Sequence, residues 1–221
     1  MPCQRHYSRL DQFLCEAGNL LATTSPWRSK AKTPNATRRA SPAAEISENS
    51  LDEREKKLSA ALMRVNHAGE VAAQGLYLGQ SLSAKSSTTK QQMRDAAAEE
   101  GDHLDWCAQR LSELDSHTSY LNPLWHAGSI MIGLITGQTG DRLSYGFVEE
   151  TEQQVMKHLQ KHLAELPTQD QKSRAILQQM QHDEGEHAAA ARASGAEELP
   201  NAVKKLMALS AKLMTVSARY I

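Results

Sequence analysis

The chain has 221 residues, enough for one sizeable helical domain with an extension, and 40% of its residues are hydrophobic. Its net charge of −1, with acids and bases mixed along the chain, gives no field that would recruit nucleic acid, so nucleic acid is not an expected partner. Three scattered cysteines without C-x-x-C spacing indicate neither a disulfide framework nor a thiolate zinc site. The best early apolar run is interrupted by polar residues, so we expect no secretory signal and an intracellular protein.

The composition changes near residue 50. Residues 1–50 hold seven Lys or Arg, four Asp or Glu and four of the seven prolines, whereas residues 51–221 hold 18 basic and 22 acidic side chains and long stretches of Ala, Leu, Glu, Gln and Lys. The first part is typical of an irregular arm and the second of helix. The sequence therefore predicts an N-terminal arm at 1–50 and one helical domain at 51–221.

Prolines and polar breaks divide the second part into six predicted helices, and strand-like alternation is nearly absent. We place the helices at 52–84, 88–115, 122–137, 141–165, 169–193 and 198–219. The pattern predicts an all-α fold.

The motif E-x-x-H occurs twice, at 100–103 and at 184–187. On a helix, positions i and i+3 lie on one face, so each copy presents a carboxylate and an imidazole in one direction. Glu70 precedes the first copy by 30 residues, and Glu152 precedes the second by 32. A single copy more often lies on a solvated helix face. The repeated order of glutamate, turn and E-x-x-H instead indicates a shared site.

The interval between each glutamate and its E-x-x-H motif has a geometrical explanation. Each glutamate and its E-x-x-H stand at similar distances on either side of a predicted turn, so the side chains meet at one level of an antiparallel helix pair. Two such pairs bring four carboxylates and two imidazoles to one buried point, the ligand set of two-metal carboxylate bundles. Hard oxygen donors with a few nitrogens favour iron or manganese over zinc. We therefore expect a ferritin-like four-helix bundle with additional hydrophobic helices.

Several segments carry a family resemblance: R-V-N-H-A-G-E at 64–70, E-E-G-D-H at 99–103, N-P-L-W at 122–125 and D-E-G-E-H at 183–187. They resemble the demethoxyubiquinone hydroxylases of ubiquinone synthesis. The arm, through H-Y-S-R-L-D-Q-F-L at 6–14, is similar to the bacterial members.

The resemblance implies a di-iron monooxygenase that uses O2 and an external electron donor to hydroxylate the ring of a polyprenyl demethoxyubiquinol. Other proteins of ubiquinone synthesis are further expected partners. The implied iron ligands, of which Glu100 and Glu184 bridge the two metals, are Glu70, Glu100, His103, Glu152, Glu184 and His187.

The third glutamate ligand has competitors, because the predicted helix reads F-V-E-E-T-E. In the family the ligand is followed six residues later by a histidine, and Glu152 with His158 has that spacing. We therefore take Glu152, with Glu149 as the alternative. Around the ligands, His67 is expected to hydrogen-bond a ligand carboxylate, to cap or to pack, and Asp102 and Asp183 are expected to contact the imidazoles. His117, His126 and His182 are expected at a surface or interface.

The segment Leu121–Gly137 contains no charged residue. Its 17 positions fall short of the roughly 20 apolar residues that a membrane span needs. It is either a buried bundle helix or an interfacial helix, in which Ile130, Ile132 and Leu134 enter the acyl boundary. Leu10, Phe13 and Leu14 of the arm would add a second contact. We expect a peripheral protein on the cytoplasmic face of the bacterial inner membrane.

Two other functions remain open on the sequence. One is another ferritin-like di-iron oxygenase, such as a tRNA hydroxylase, which would call for a basic face that the acidic body lacks. The other is a non-catalytic iron-binding protein, which would not need the uncharged segment.

Overall fold

The structure, a computed structural model, describes residues 36–48 and 50–221, and this part of the chain contains six helices and no strand. The helices are α1 (Glu53–Ser83), α2 (Ser87–Glu113), α3 (Asn122–Thr139), α4 (Asp141–Glu165), α5 (Gln171–Ala193) and α6 (Asn201–Ala218). Each predicted helix is present, with ends displaced by at most three residues. The all-α prediction is confirmed. Leu10, Phe13, Leu14 and the 6–14 motif lie outside the described residues.

Capping side chains fix several helix starts. Asp52 accepts from the backbone N–H groups of Arg54 and Glu55, and the Glu55 side chain accepts from the backbone of Asp52 in return, which completes a capping box at α1. Ser86 caps α2, and Asp170 caps α5. Gly140, with φ of 128°, separates α3 from α4 in a conformation that side-chain-bearing residues rarely adopt.

Four of the helices form a ferritin-like bundle. The largest packing contacts within it join α1 to α2 and α4 to α5, the two predicted hairpins, and the hairpins meet through α2 with α5 and α1 with α4. Helix α3 packs outside the bundle against α1, and α6 contacts α1 and α4. This arrangement directs one face of each bundle helix to a common interior.

Two apolar layers fill that interior at different levels. The first includes Met63, Cys107, Leu159 and Met180, and the second includes Ala73, Met93, Val148 and Ala191. On every bundle helix, the predicted ligand lies in sequence between its residue of the first layer and its residue of the second. The polar level is therefore enclosed by apolar side chains above and below.

Helix α3 approaches α1 closely through glycine. A Cβ atom placed on Gly79 would overlap the Ile130 carbonyl oxygen, and one on Gly133 would overlap the Leu76 carbonyl oxygen. The backbones meet because neither residue has a side chain. This contact accounts for the absence of charge on one face of α3, because that face is buried against α1.

The opposite face of α3 is exposed. Leu124, Met131, Ile132 and Ile135 are among its exposed large apolar side chains. Of the three residues predicted to face outward, Ile132 is exposed, whereas Ile130 and Leu134 are half-buried, since their backbones lie against α1. None of the described helices combines the length and apolar character needed to span a bilayer.

Candidate metal centre

The structure brings the six predicted ligands together in two overlapping groups. Within each group the candidate ligand atoms all lie within 4.8 Å of one another, and Glu100 and Glu184 belong to both. The first group adds Glu70 and His103, and the second adds Glu152 and His187. The geometry fits two metal ions that share two carboxylates.

The imidazoles present the same nitrogen to the centre. The Nδ1 atom of His103 lies 2.9 Å from Glu100 Oε2 and 3.3 Å from Glu184 Oε1, and Nδ1 of His187 lies 3.3 Å from Glu100 Oε1 and 3.3 Å from Glu184 Oε2. Each Nδ1 therefore faces both shared carboxylates. The Nε2 atoms point away from the centre.

Two buried carboxylate oxygens of the site lack hydrogen-bond partners, as expected of metal ligands. Oε1 of Glu100 and Oε1 of Glu184 are buried, and although an imidazole Nδ1 lies 3.3 Å from each, neither oxygen has a hydrogen-bond partner within the described part of the chain. Such acceptors are costly in a protein interior unless another partner satisfies them. The two oxygens without partners belong to the two shared carboxylates, which would each bind both metals.

The pKa directions show the same need for positive charge. Burial raises the pKa of Glu70 and of Glu152 well above the usual glutamate value, and the Glu184 carboxylate raises both further. Burial alone would lower the pKa of His187, but the neighbouring carboxylates of Glu100 and Glu184 outweigh it and raise that pKa to about 12. The pKa of His103 is likewise raised, against burial, by Asp183 and Glu100. Protons on these groups balance the buried carboxylates, and divalent cations would replace them.

The structure distinguishes the three glutamates of α4 that could supply the metal ligand. The Glu152 carboxylate is buried and accepts a hydrogen bond from the hydroxyl of Tyr77. Glu149 accepts instead from Arg192, 2.8 Å from its Nε, and Glu150 lies 3.6 Å from Nζ of Lys204. Only Glu152 reaches the six-residue cluster.

The outer nitrogens of the imidazoles contact carboxylates, as expected of metal-binding histidines. Nε2 of His103 lies 2.9 Å from Asp183 Oδ2, so the contact expected of Asp183 is present. The contact expected of Asp102 is not: its carboxylate accepts from residues 37–39 of the arm. The outer partner of His187 is Glu99, with 2.8 Å between Nε2 and Oε2.

Three other histidines lie outside the two metal-capable groups. His67 contacts Asn122, with 3.3 Å between Nδ1 and Nδ2, rather than a ligand carboxylate. His126 is buried at the interface between α3 and α1, where its Nδ1 lies 3.1 Å from the Val71 carbonyl oxygen. The His158 ring packs against His162, with 3.9 Å between ring centroids, and belongs to neither metal-capable group.

Three functional contacts were missed by sequence reasoning. Tyr77 had a readable signal, since it stands seven residues after Glu70 and so shares its helix face. Glu99 had a weaker one as the direct neighbour of Glu100. Arg39, whose guanidinium reaches Asp183, had none, because the sequence does not show where an irregular arm lies.

A helical bundle with a buried pair of four-residue groups, each of carboxylates and one imidazole, defines the class of two-metal carboxylate proteins. The sequence profile of the family described as "Ubiquinone biosynthesis protein COQ7" matches residues 57–218, and the chain belongs to this family. Relatives named "3-demethoxyubiquinol 3-hydroxylase" match along nearly the whole chain. That of Nitrosococcus oceani is 48% identical over 98% of this chain and 99% of its own length. Those of Coxiella burnetii (strain RSA 331) and Legionella pneumophila (strain Corby) are 48% and 49% identical over 98% of this chain, and over 98% and 100% of their own lengths.

Proposed function

We propose that this chain is an O2-dependent monooxygenase that hydroxylates the benzoquinol ring of a polyprenyl demethoxyubiquinol in ubiquinone biosynthesis. The observation that carries the proposal is the pair of metal-capable groups joined by Glu100 and Glu184. It is supported by relatives of matching length whose name states this reaction.

Iron is the metal that we propose. Oxygen ligands with one nitrogen for each metal suit iron or manganese, and O2 activation requires a metal that changes oxidation state. Glu70 and His103 would hold one ion, Glu152 and His187 the other, with Glu100 and Glu184 between them. The iron pair, when bound, supplies the activation of O2.

The chain supplies positioning and a dry environment. Tyr77 donates to Glu152 and thereby orients one carboxylate, while Asp183 and Glu99 fix the rings of the two histidines. The apolar layers on both sides exclude water from the centre. In the reaction a ring C–H becomes C–OH and the second oxygen atom becomes water, which consumes two electrons from an external donor and two protons.

The outer surface supports a membrane location for a substrate with a polyprenyl tail. Besides the exposed face of α3, helix α6 exposes apolar side chains on one side: Leu206, Leu209, Leu213 and Val216. Trp125 of α3 and Met214 of α6 pack against one patch that includes Val65 and Ala68 of α1, so the two helices flank the same side of the bundle. We call the exposed apolar side chains of α3 and α6 the apolar face.

Exposed apolar patches of this kind mark interaction sites, and amphipathic helices bind in the interface plane of a bilayer. We propose that the apolar face lies on the cytoplasmic surface of the bacterial inner membrane, from which a quinol would enter the protein.

The direct test is single-turnover hydroxylation with isotopic oxygen. Iron-loaded protein in lipid vesicles, given a demethoxyubiquinol with a short prenyl tail, a chemical reductant and ¹⁸O2, should form a hydroxylated quinol that carries one ¹⁸O atom per molecule. The His103→Ala variant is the matched control and should form none. Iron binding without any hydroxylated product would overturn the proposal in favour of a non-catalytic iron-binding protein.

A further inference from the structure

The described part of the arm, residues 36–48, forms a strap over α2. At its first end, the Asp102 carboxylate accepts hydrogen bonds from the Thr37 hydroxyl, from the backbone N–H of Arg38 at 2.6 Å and from Nε of Arg39 at 3.1 Å. Asp102 is only 1% exposed, so this is a buried carboxylate satisfied by the arm. The strap is therefore held beside the first E-x-x-H copy.

Packing and a second ion pair fix the rest of the strap. Ala36 lies against Gly101, where a Cβ atom would come within 2.9 Å of the Ala36 Cβ. Ala43 belongs to the first apolar layer. Glu48 binds the buried Arg110 guanidinium through both carboxylate oxygens, at 2.7 and 3.1 Å. Because the strap is anchored at both ends, the position of Arg39 is defined by the fold.

Arg39 connects the strap to the metal centre. Its Nη2 lies 2.9 Å from Asp183 Oδ2, while its Nε contacts Asp102. The guanidinium also lies over the Trp106 ring, 5.0 Å from its centroid. One planar group thus joins α2 to α5 through two carboxylates, a geometry that a lysine ammonium does not reproduce.

Asp183 transmits this contact to a predicted ligand. Its Oδ2 lies 2.9 Å from both Arg39 Nη2 and His103 Nε2, and its Oδ1 accepts from Gln179 at 2.9 Å. With both oxygens held, the carboxylate can accept the His103 Nε2–H in one fixed direction. The His103 ring then presents its Nδ1 lone pair to the centre.

The other imidazole has a looser support. Glu99, the outer partner of His187, is 45% exposed in its side chain, and no Lys or Arg of the described residues pairs with it. The two halves of the centre therefore differ, although the E-x-x-H motif is the same in both.

We propose that Arg39 is a positioning residue for one metal only, the one contacted by Glu70 and His103. It acts through Asp183, which it holds against His103 Nε2. The inference rests on the proposed function, since it presupposes that the six-residue cluster binds two metals.

The test uses the full chain and Co²⁺, whose visible absorption reports the ligand geometry. Wild-type protein should bind two Co²⁺ per chain. Arg39→Gln should bind one of them about 10–100-fold more weakly, with changed absorption for that ion and unchanged affinity for the other. The Co²⁺ affinity of Arg39→Lys at that site should lie between those of wild type and Arg39→Gln. The control is Arg38→Gln, an exposed neighbour whose side chain contacts no carboxylate in the described ranges, and it should bind both ions normally.

Melting of the metal-free variants separates positioning from a structural role. If Arg39→Gln lowers the melting temperature but binds both Co²⁺ as wild type does, Arg39 is only structural and the inference is overturned. If Arg39→Gln does not fold, Arg39→Lys is compared in wild-type and Asp183→Asn backgrounds: its effect on Co²⁺ affinity should vanish in the second. An undiminished effect there would overturn the proposed route through Asp183. Wild-type protein that binds no Co²⁺ pair would overturn the proposed function as well.

Discussion

The interior and the outer surface of this protein both depart from the usual distribution of side chains. The interior gathers four glutamates and two histidines, while α3 and α6 expose leucines, isoleucines and methionine. Buried ionisable groups require partners, and so do extended exposed apolar patches. Metals would partner the interior and a lipid surface the exterior. If each departure has its own partner, substitutions in one region should leave the function of the other unchanged.

The largest effect is expected from removing an imidazole from the interior. His103→Ala or His187→Ala should reduce hydroxylation by several orders of magnitude and lower the iron content from about two per chain, because each removes a nitrogen ligand. Helix content by circular dichroism should persist, since the apolar layers carry much of the bundle's stability. Vesicle binding should also persist. Loss of vesicle binding with retained fold would break the separation between the regions.

Single substitutions of the α4 glutamates test which of their carboxylates belongs to the metal centre. Glu152→Gln keeps the shape of the side chain but removes the charge, so it should disturb the iron spectrum and abolish most activity. Glu149→Gln and Glu150→Gln are matched controls whose side chains face Arg192 and Lys204, and they should retain iron and most activity. Iron loss in Glu149→Gln with normal iron in Glu152→Gln would show that the ligand lies at Glu149 instead.

The apolar face is tested by polar substitutions on both helices. A combined change of Ile135, Leu209 and Leu213 to Ser should weaken binding to phospholipid vesicles, measured by sedimentation, by about a thousandfold or more, because each buried aliphatic side chain contributes about 1.5–3 kcal/mol. Iron content and thermal stability should stay near wild type, since all three side chains are exposed. The control is Ser210→Ala on the same helix. Unchanged vesicle binding would remove the support for a lipid partner.

A smaller graded effect is expected from pH. The raised pKa values of Glu70, Glu152 and the two imidazoles mean that these groups release their protons at higher pH than ordinary glutamate and histidine side chains, so bound metals compete with protons for them. Affinity for Co²⁺ should therefore rise with pH, by about tenfold per pH unit for each proton displaced, over roughly pH 6 to 8. The number of protons displaced by each Co²⁺ can be measured directly as proton release in weak buffer. An affinity independent of pH would contradict the raised pKa values of both the carboxyl groups and the imidazoles.

The interior was more predictable from sequence than its surroundings. The helices and the juxtaposition of Glu70, Glu100, Glu152 and Glu184 follow from periodicity and from equal distances to a turn, which are local quantities. The role of Asp102 could not be obtained in this way, because its partners come from an irregular strap more than 60 positions away in the chain. Spacing defines a face of a helix but not which distant segment packs on it.

The exterior was only partly anticipated. The uncharged sequence predicts α3, but the sequence alone does not show that the glycine contact with α1 leaves Ile130 and Leu134 half-buried. The exposed face of α6 does have a pattern in the sequence, since Leu206, Leu209, Leu213 and Val216 recur at helical spacing.

The central claim is that two irons share Glu100 and Glu184 inside the bundle. Anomalous diffraction at the iron edge from crystals of the iron-loaded protein tests it most directly. We expect two peaks about 3.5–4 Å apart, one contacted by Glu70 and His103 and the other by Glu152 and His187. A single peak, or iron bound only outside these six residues, would contradict the account.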